Sequence, residues 1–562
     1  MKILLIVSAF NSLTQRVFCE LQDMNHAVSV QYAISNEAMM QSVDAFAPDI
    51  IFCPYLKKYL PCEIFLKTPT FILHPGIRGD RGHNALDHAL RDNKKEWGVV
   101  ILKANEEFDG GDIYAEVRFE MRDATKASIY RNEVADAASK ALKELLKNLD
   151  DKEFKPTPQL KMPMHNYLTQ KERAINWEKE TAQEIIKKIH VSDSFPGVKD
   201  EFLGIECYLF GAWEEDKLKG NPKEIIAKRD GAVCVGTIDG AIWISHMSEV
   251  GRFKLPSTYV LKDKIKGVKE ERLPLIFDMS YKTFYEISSH KDGEVGYLYF
   301  NFHNGAMHSE QCIRLKYAFE YLKESCKVIV LMGGADFFSN GIHLNILEDS
   351  QKQGEDGWSN INAMNDVVKS IIFADDVITV ASLHKNAGAG GVFLALACDY
   401  VVARKGVVLN PHYKTLGLSG SEYHTFTLPK RVGAHKSKEL LESCLPINAA
   451  KAKEINMVDE VFEKENYFEQ LRSFANKLAN AQDEYDDFIY EKEDYLQKNR
   501  EFINECKENE LKTMHPEFWD KESSFHRLRH DFVYKVCSIE TPQRLKSYRY
   551  DGLPAEGNSA LA

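Results

Sequence analysis

Five short apolar runs, KILLIV, HAVSVQYAI, DIIFCPY, TFILHP and WGVVILKA, alternate with helical stretches between Met1 and about Leu149. Strands alternating with helices point to a parallel, doubly wound sheet, which takes its ligands at the carboxyl ends of its strands. The segment KASIYRNEVADAASKALKELLKNL, apolar at helical spacing, closes this unit. A second alternation begins at GEVGYLYFNFHNG and runs through a helix over Glu310 to Ser325 and the strand KVIVLMGG. It reaches a glycine-rich run, NAGAGGVFLALACDYVVA, after which helices are expected to fill the chain to about Leu545. Between the two alternations, GAVCVGTIDGAIWIS and its neighbours give short strands bounded by glycine, a small β-barrel-like (OB-like) module. At 562 residues the chain exceeds the roughly 250 to 300 at which one core stops growing. The reading is therefore an α/β chain with domains at 1–158, 159–270 and 271–550 and a disordered polar tail at 551–562.

Charge and cysteine usage remove several classes. A net charge of -12 gives no basic footprint for nucleic acid. Eleven scattered cysteines, with no C-x-x-C pair and no His/Cys cluster, suit reduced thiols better than disulfides, and no metal site is expected. MKILLIVSAF is too short and too soon polar for a membrane span and reads as a first strand, so a cytoplasmic protein without membrane insertion is expected. KEFKPTPQLKMPMHN and the charged stretch from Gly251 to Leu275 read as linkers.

The stretch FILHPGIRGDRG places His74 at a strand end and follows it with a loop rich in glycine and arginine. About 35 residues on, EEFDGGDIYAEVRF sets Asp109 before two glycines. A carboxylate that orients an imidazole and raises its pKa makes a general acid/base pair, whereas either motif alone is most often a turn. With PDIIFCPYLKKYLP, WGVVILKANEEFDGGDIY, LTQKERAINWEKETAQEI and FPG in that order, residues 1 to 215 resemble the folate-dependent formyltransferases of the methionyl-tRNA formyltransferase type. The resemblance implies that His74 and Asp109 act on the formyl group of 10-formyltetrahydrofolate. It also implies that Gly79, Asp80, Arg81, Gly82, Asn84, Gly110 and Gly111 frame the folate, the glycines leaving backbone bare for a planar ligand. Arg78 and Arg81 are otherwise plain surface charges. The family's asparagine falls at Ile72, and losing one oxyanion donor costs about 100- to 1000-fold in rate; Asn84 and His83 are the candidate substitutes, or the acceptor chemistry differs.

KVIVLMGGADFFSNGIHLNILE and NAGAGGVFLALACDYVVA, with LPKRVG and INAAKAKEINMVDEV after them, resemble the enoyl-CoA hydratase/isomerase family, the crotonases, over about residues 290 to 462. That implies a ββα spiral fold, coenzyme A thioesters as ligands, and the backbone N–H groups of Ile342 and Gly390 as an oxyanion hole. One glutamate position of that family holds Phe393, and its Pro-Glu pair is replaced by Pro411-His412, so water addition to a double bond is not expected. His412, Tyr413, Glu422, Tyr423 and His424 remain as polar groups, each otherwise a helix-cap or core residue. Glu422 is the expected base, because a carboxylate enclosed by aromatic rings has its pKa raised.

A formyl-folate centre and an acyl-CoA centre share formyl-CoA as a possible intermediate. The arrangement, with LNPHYKTLGLSGSEYHTFTLPKRVG, resembles the HypX (HoxX) family of hydrogenase maturation proteins across the chain. The resemblance implies formyl transfer by His74 and Asp109 to coenzyme A. It then implies release of carbon monoxide for the iron of nickel-iron hydrogenase, with Glu422 or Tyr413 removing the formyl proton. Partners so implied are small-molecule substrates and, among proteins, other maturation proteins or the hydrogenase large subunit. The alternatives are formylation of an amine or sugar, hydrolysis of formyl-folate to formate, and a non-catalytic maturation scaffold. The helical region from about Asn466 to Arg549 would either cover a coenzyme A groove or dock a partner.

Overall fold

The computed structural model describes residues 1–277 and 280–547; the expected disordered tail at 551–562 lies outside the described residues. The chain forms two compact units, one of Met1–Glu271, Tyr281–Phe284 and the segment from Cys537, the other of Tyr285–Val536 with 272–277 and Ser280. Among the described residues no helix is long and apolar enough to cross a membrane.

The first unit opens with β1 (Lys2–Val7), β2 (Ala27–Tyr32), β3 (Ile50–Cys53), β4 (Thr70–His74), β5 (Glu96–Lys103) and β6 (Ile113–Glu120), in the order β2-β1-β3-β4-β5-β6. Ile3 to Val7 are all fully buried, because helices cover both faces of a parallel sheet and its central strands are apolar throughout. The first four strands are parallel, but β5 runs antiparallel to both β4 and β6. The expected all-parallel sheet fails at this end: β5 reverses against β4 across a connection that holds the helix Ala85–Arg91, and the short helix-free return from β5 to β6 pairs antiparallel. His74 ends β4, and Ile72, two residues earlier on the same face, packs against the cluster of Ile51, Cys53 and Ile64.

The small sheet comprises β7 (Val198–Phe202), β8 (Ile205–Glu215), β9 (Ile225–Arg229), β10 (Ala232–Gly236) and β11 (Ala241–Glu249), ordered β7-β8-β11-β10-β9, with β12 (Leu255–Pro256) on β11. Among the described residues no pairing joins β7 to β9, so this barrel-like module is an open path of strands. The stretch from Gly251 is not a linker: β12 and the helix Ser257–Leu261 pack on β11. Nor is 152–166 one. Its backbone pairs with the loop after His74, His165 donating to the Arg81 carbonyl at 2.8 Å and accepting from His83 N at 3.0 Å. Proline and lysine made both stretches read as solvated, and hydrogen bonds to the neighbouring loops order them instead. The segment from Cys537 returns along the edge strand β2, where Thr541 Oγ1 accepts from Tyr32 N at 2.8 Å and Ser547 N donates to Ser29 Oγ at 3.1 Å. An exposed strand edge is thereby covered.

The second unit holds β13 (Ile287–Asp292), β14 (Val295–Phe300), β15 (Ala306–Met307), β16 (Val328–Gly333), β17 (Gly341–Ile342), β18 (Ile378–Leu383) and β19 (Ala387–Gly388), followed by β20 (Tyr400–Arg404), β21 (Val408–Asn410), β22 (Ile447–Asn448) and β23 (Glu460–Phe462). Its main sheet runs β13-β14-β16-β18-β20-β23, parallel except for the β13–β14 hairpin, with β15–β17 and β19–β21–β22 as small side sheets. Strands therefore continue past the glycine-rich run, where only helices were expected. The helix Tyr467–Asn480 lays Tyr467, Leu471, Ala475 and Ala479 on the sheet, and the 38-residue helix Gln482–Trp519 follows it.

Candidate functional sites

The first centre is built on the end of β4. Phe71 and Leu73 face the core, and His74 is only 5% exposed. Its Nε2 lies 2.6 Å from Asp80 Oδ2, while Nδ1 is 3.5 Å from Asp109 Oδ2. Burial opposes charge on the ring, but the bond to Asp80 and the charges of Asp109 and Asp80 outweigh it, so the pKa of His74 lies above its ordinary value. Asp109 has φ +50° and accepts from Gly82 N at 3.1 Å, which turns its carboxylate toward the imidazole. Arg81 donates to the Phe108 carbonyl through Nε at 3.2 Å and Nη2 at 2.9 Å, and Arg78 Nε to the Pro158 carbonyl at 3.0 Å. Both arginines brace loops, which corrects the surface-charge alternative.

The glycines of these loops lie close against the protein's own chain. A Cβ on Gly82 would lie 2.5 Å from the His165 carbonyl oxygen, one on Gly111 1.7 Å from that of Lys103, and one on Gly110 2.5 Å from Glu107 Cβ. Gly79, at φ +96°, faces Leu160 and donates its N–H to Gln159 Oε1 at 2.9 Å. All four admit the protein's own chain. Of the expected substitutes for the donor missing at Ile72, Asn84 accepts at Oδ1 from Leu168 N at 3.1 Å, and His83 stacks on Tyr167 at 3.8 Å between ring centroids.

The second centre lies where β17 meets the helix Gly390–Leu396. A Cβ on Gly341 would stand 3.2 Å from Gly390 N, so the strand carrying Ile342 adjoins the first amide of that helix. First-turn amides have no carbonyl partner within their own helix. Glu422, 2% exposed with φ +59°, lies directly against Gly390: a Cβ there would be 2.8 Å from its Cδ and Oε1. Asn365 Oδ1 accepts from Glu422 N at 3.0 Å, and the Tyr413 hydroxyl is 2.7 Å from Glu422 Oε2. Burial raises the Glu422 pKa to about 7, against the hydrogen bonds of Tyr413 and Ser421 and with the charge of Glu510.

Glu510, from the long helix Gln482–Trp519, accepts from Tyr423 N at 3.0 Å and Thr425 N at 2.7 Å, fixing the turn that holds Glu422. Phe393 stacks on Tyr413 at 5.2 Å between centroids, and His424 meets both rings edge-on. His424 Nδ1 lies 3.2 Å from Glu510 Oε1. Tyr423 is fully buried, and His412 contacts Thr415 within its own turn. Burial and the Glu422 charge hold the Tyr413 phenol well above its ordinary pKa, and its hydroxyl donates to Glu422 Oε2.

Sequence reasoning missed Gly76, His165, Asn365 and Glu510. A Cβ on Gly76 would be 2.4 Å from Asp80 Oδ2 and 2.5 Å from His74 Nε2. The signal for Asp80 as a partner of His74 was present in the short loop HPGIRGD. Nothing local marks Glu510.

This chain joins a formyltransferase part to an enoyl-CoA hydratase/isomerase part: residues 31–146 match the formyl transferase family, 167–263 its C-terminal domain, and 294–523 the enoyl-CoA hydratase/isomerase family. It is 35% identical to the hydrogenase maturation factor HoxX of Bradyrhizobium diazoefficiens over 99% of this chain and 98% of that protein. The crystal structure of HypX from Aquifex aeolicus in complex with tetrahydrofolic acid is similar over 98% of this chain and 99% of that one, with 43% identity and a TM-score of 0.96. Methionyl-tRNA formyltransferase of Kosmotoga olearia is 27% identical over 38% of this chain. The chain belongs to the HoxX/HypX family of hydrogenase maturation factors.

Proposed function

We propose that this protein takes the formyl group of 10-formyltetrahydrofolate, transfers it to the thiol of coenzyme A, and releases carbon monoxide from the resulting formyl thioester for hydrogenase iron. Formyl transfer is assigned to 1–158 with the small module at 159–270, and carbon monoxide release to 271–550. The folate assignment is supported by the formyl transferase match and by tetrahydrofolic acid in the Aquifex aeolicus HypX structure.

In the first step the thiol sulfur attacks the formyl carbon, Asp109 takes the thiol proton, and the C–N10 bond breaks as N10 receives a proton from His74 Nδ1. Asp109 then returns its proton to the ring, so the step needs no outside acid. In the second, the amides of Ile342 and Gly390 hold the thioester oxygen. Glu422 takes the formyl proton, the C–S bond breaks with its electrons on sulfur, and the proton passes to the thiolate, giving carbon monoxide and free coenzyme A. The step is redox-neutral and balanced.

The observation that carries the reading is the buried Glu422 carboxylate against Gly390, in a pocket where Phe393 stacks on Tyr413. Such an apolar wall disfavours the competing attack of water. The test is incubation of the full chain with 10-formyltetrahydrofolate, with and without coenzyme A, with carbonyl-haemoglobin formation and formate both measured. Carbon monoxide that requires coenzyme A and His74 supports the proposal. Formate alone makes this a hydrolase and overturns it.

A further inference from the structure

Asp80 and His165 stand behind His74 in an arrangement that the formyl-transfer steps above do not use. Asp80 has a 3% exposed side chain, and Oδ2 is spent on His74 Nε2 at 2.6 Å. Its other oxygen, Oδ1, has no hydrogen-bond partner among the described residues, yet His165 Nε2 lies 3.3 Å away. A buried carboxylate oxygen without a donor is costly, and a slight turn of the His165 ring would satisfy it. The His165 backbone is already fastened on both sides to the loop that carries Asp80. Its ring stacks on His88 at 4.4 Å between centroids, and His88 Nε2 in turn lies 2.9 Å from the Asn166 carbonyl oxygen. Gly76 leaves room for the His74–Asp80 bond, since a Cβ there would overlap both partners.

We propose that Asp80 and His165 are positioning residues that hold His74 as an imidazolium with Nδ1–H toward the reacting formyl group, so that this one charged donor does the work of the amide missing at Ile72. The bond at Nε2 occupies that nitrogen completely. At Nδ1 the 3.5 Å gap to Asp109 leaves the proton free for a substrate oxygen or N10. A cationic donor is roughly twice as strong as a neutral amide. The charged groups around the ring are Asp80 and Asp109; His165 and His88 stand behind the first, Arg81 and Glu107 beyond the second.

The inference rests on the formyl-transfer reading, and the test separates the two. Full-length Asp80→Asn, His165→Ala and His74→Ala proteins are assayed for tetrahydrofolate release from 10-formyltetrahydrofolate with coenzyme A across pH, with and without added imidazole. Because the imidazolium is the active form, the rate falls as pH rises through the His74 pKa. Removing the Asp80 charge moves that fall to lower pH and slows transfer about 10- to 100-fold. His165→Ala slows transfer about tenfold with an unchanged folate KM, and imidazole restores it, because the His165 side chain is 40% exposed and its vacated place is open to solvent. An unshifted profile in Asp80→Asn, or a His165→Ala protein that is fully active or is not rescued, overturns the proposal. Should Asp80→Asn fail to fold, the unmodified protein decides: a far-downfield proton resonance from the His74–Asp80 bond, lost in His165→Ala, supports the arrangement, and its absence overturns it. Transfer surviving in His74→Ala would overturn the formyl-transfer reading itself.

Discussion

Replacing Gly390 by alanine tests the second centre with the smallest possible change. The added methyl carbon would begin 2.8 Å from Glu422 Cδ and Oε1 and 3.0 Å from Oε2. Carbon atoms rest at about 3.5 to 4.0 Å, so the carboxylate must retreat by about 0.7 to 1.2 Å. It cannot do so freely, because Tyr413, Asn365 and the Glu510-anchored turn hold Glu422 from the other sides. A misplacement of about 1 Å costs on the order of 100-fold in rate, equivalent to about 2.7 kcal/mol of barrier. Overpacking would also lower stability by about 1 to 3 kcal/mol. The assay is carbonyl-haemoglobin formation from 10-formyltetrahydrofolate and coenzyme A, with tetrahydrofolate release followed in parallel. Carbon monoxide should fall about 100-fold while tetrahydrofolate release in the first turnover is unchanged. A folded Gly390→Ala protein that makes carbon monoxide at the unmodified rate would refute the placement of the base.

Carbon monoxide release should rise with pH through about 7, because Glu422 acts as the base only when ionised and burial raises its pKa to that value. In Tyr413→Phe the same limb should move to higher pH, since the lost hydrogen bond favoured the carboxylate; a pH-rate profile checks both. Glu510→Gln removes a nearby negative charge and should move the limb to lower pH. It should also destabilise the protein by about 1.5 to 3 kcal/mol through the weakened bonds to Tyr423 N and Thr425 N, measured by denaturant unfolding. Gly76→Ala should slow formyl transfer about 10- to 100-fold without affecting carbon monoxide release from preformed formyl-CoA, because its methyl would displace the His74–Asp80 bond.

The sequence by itself determined the strands and the residues that end them. Ile342 and Gly390 were named through the resemblance to the enoyl-CoA hydratase/isomerase family, whereas alternation located β1 to β5, and with it His74 at a carboxyl end, and glycine marked the turns. These are local properties, written in hydrophobic period and in glycines that only certain backbone turns require. Glu422 was also legible, as a carboxylate among aromatic residues. What the tertiary structure decided was which groups meet. His165 was hidden in a stretch that reads as a linker, because a proline- and lysine-rich segment looks the same whether it is solvated or paired to another loop. Glu510 comes from 88 positions beyond Glu422 on a helix with no motif, and only packing brings it to Tyr423 N. The glycines of the first loop read as bare backbone, and only the fold shows that the chain itself packs against them, since composition records the missing side chain but not what lies beside it.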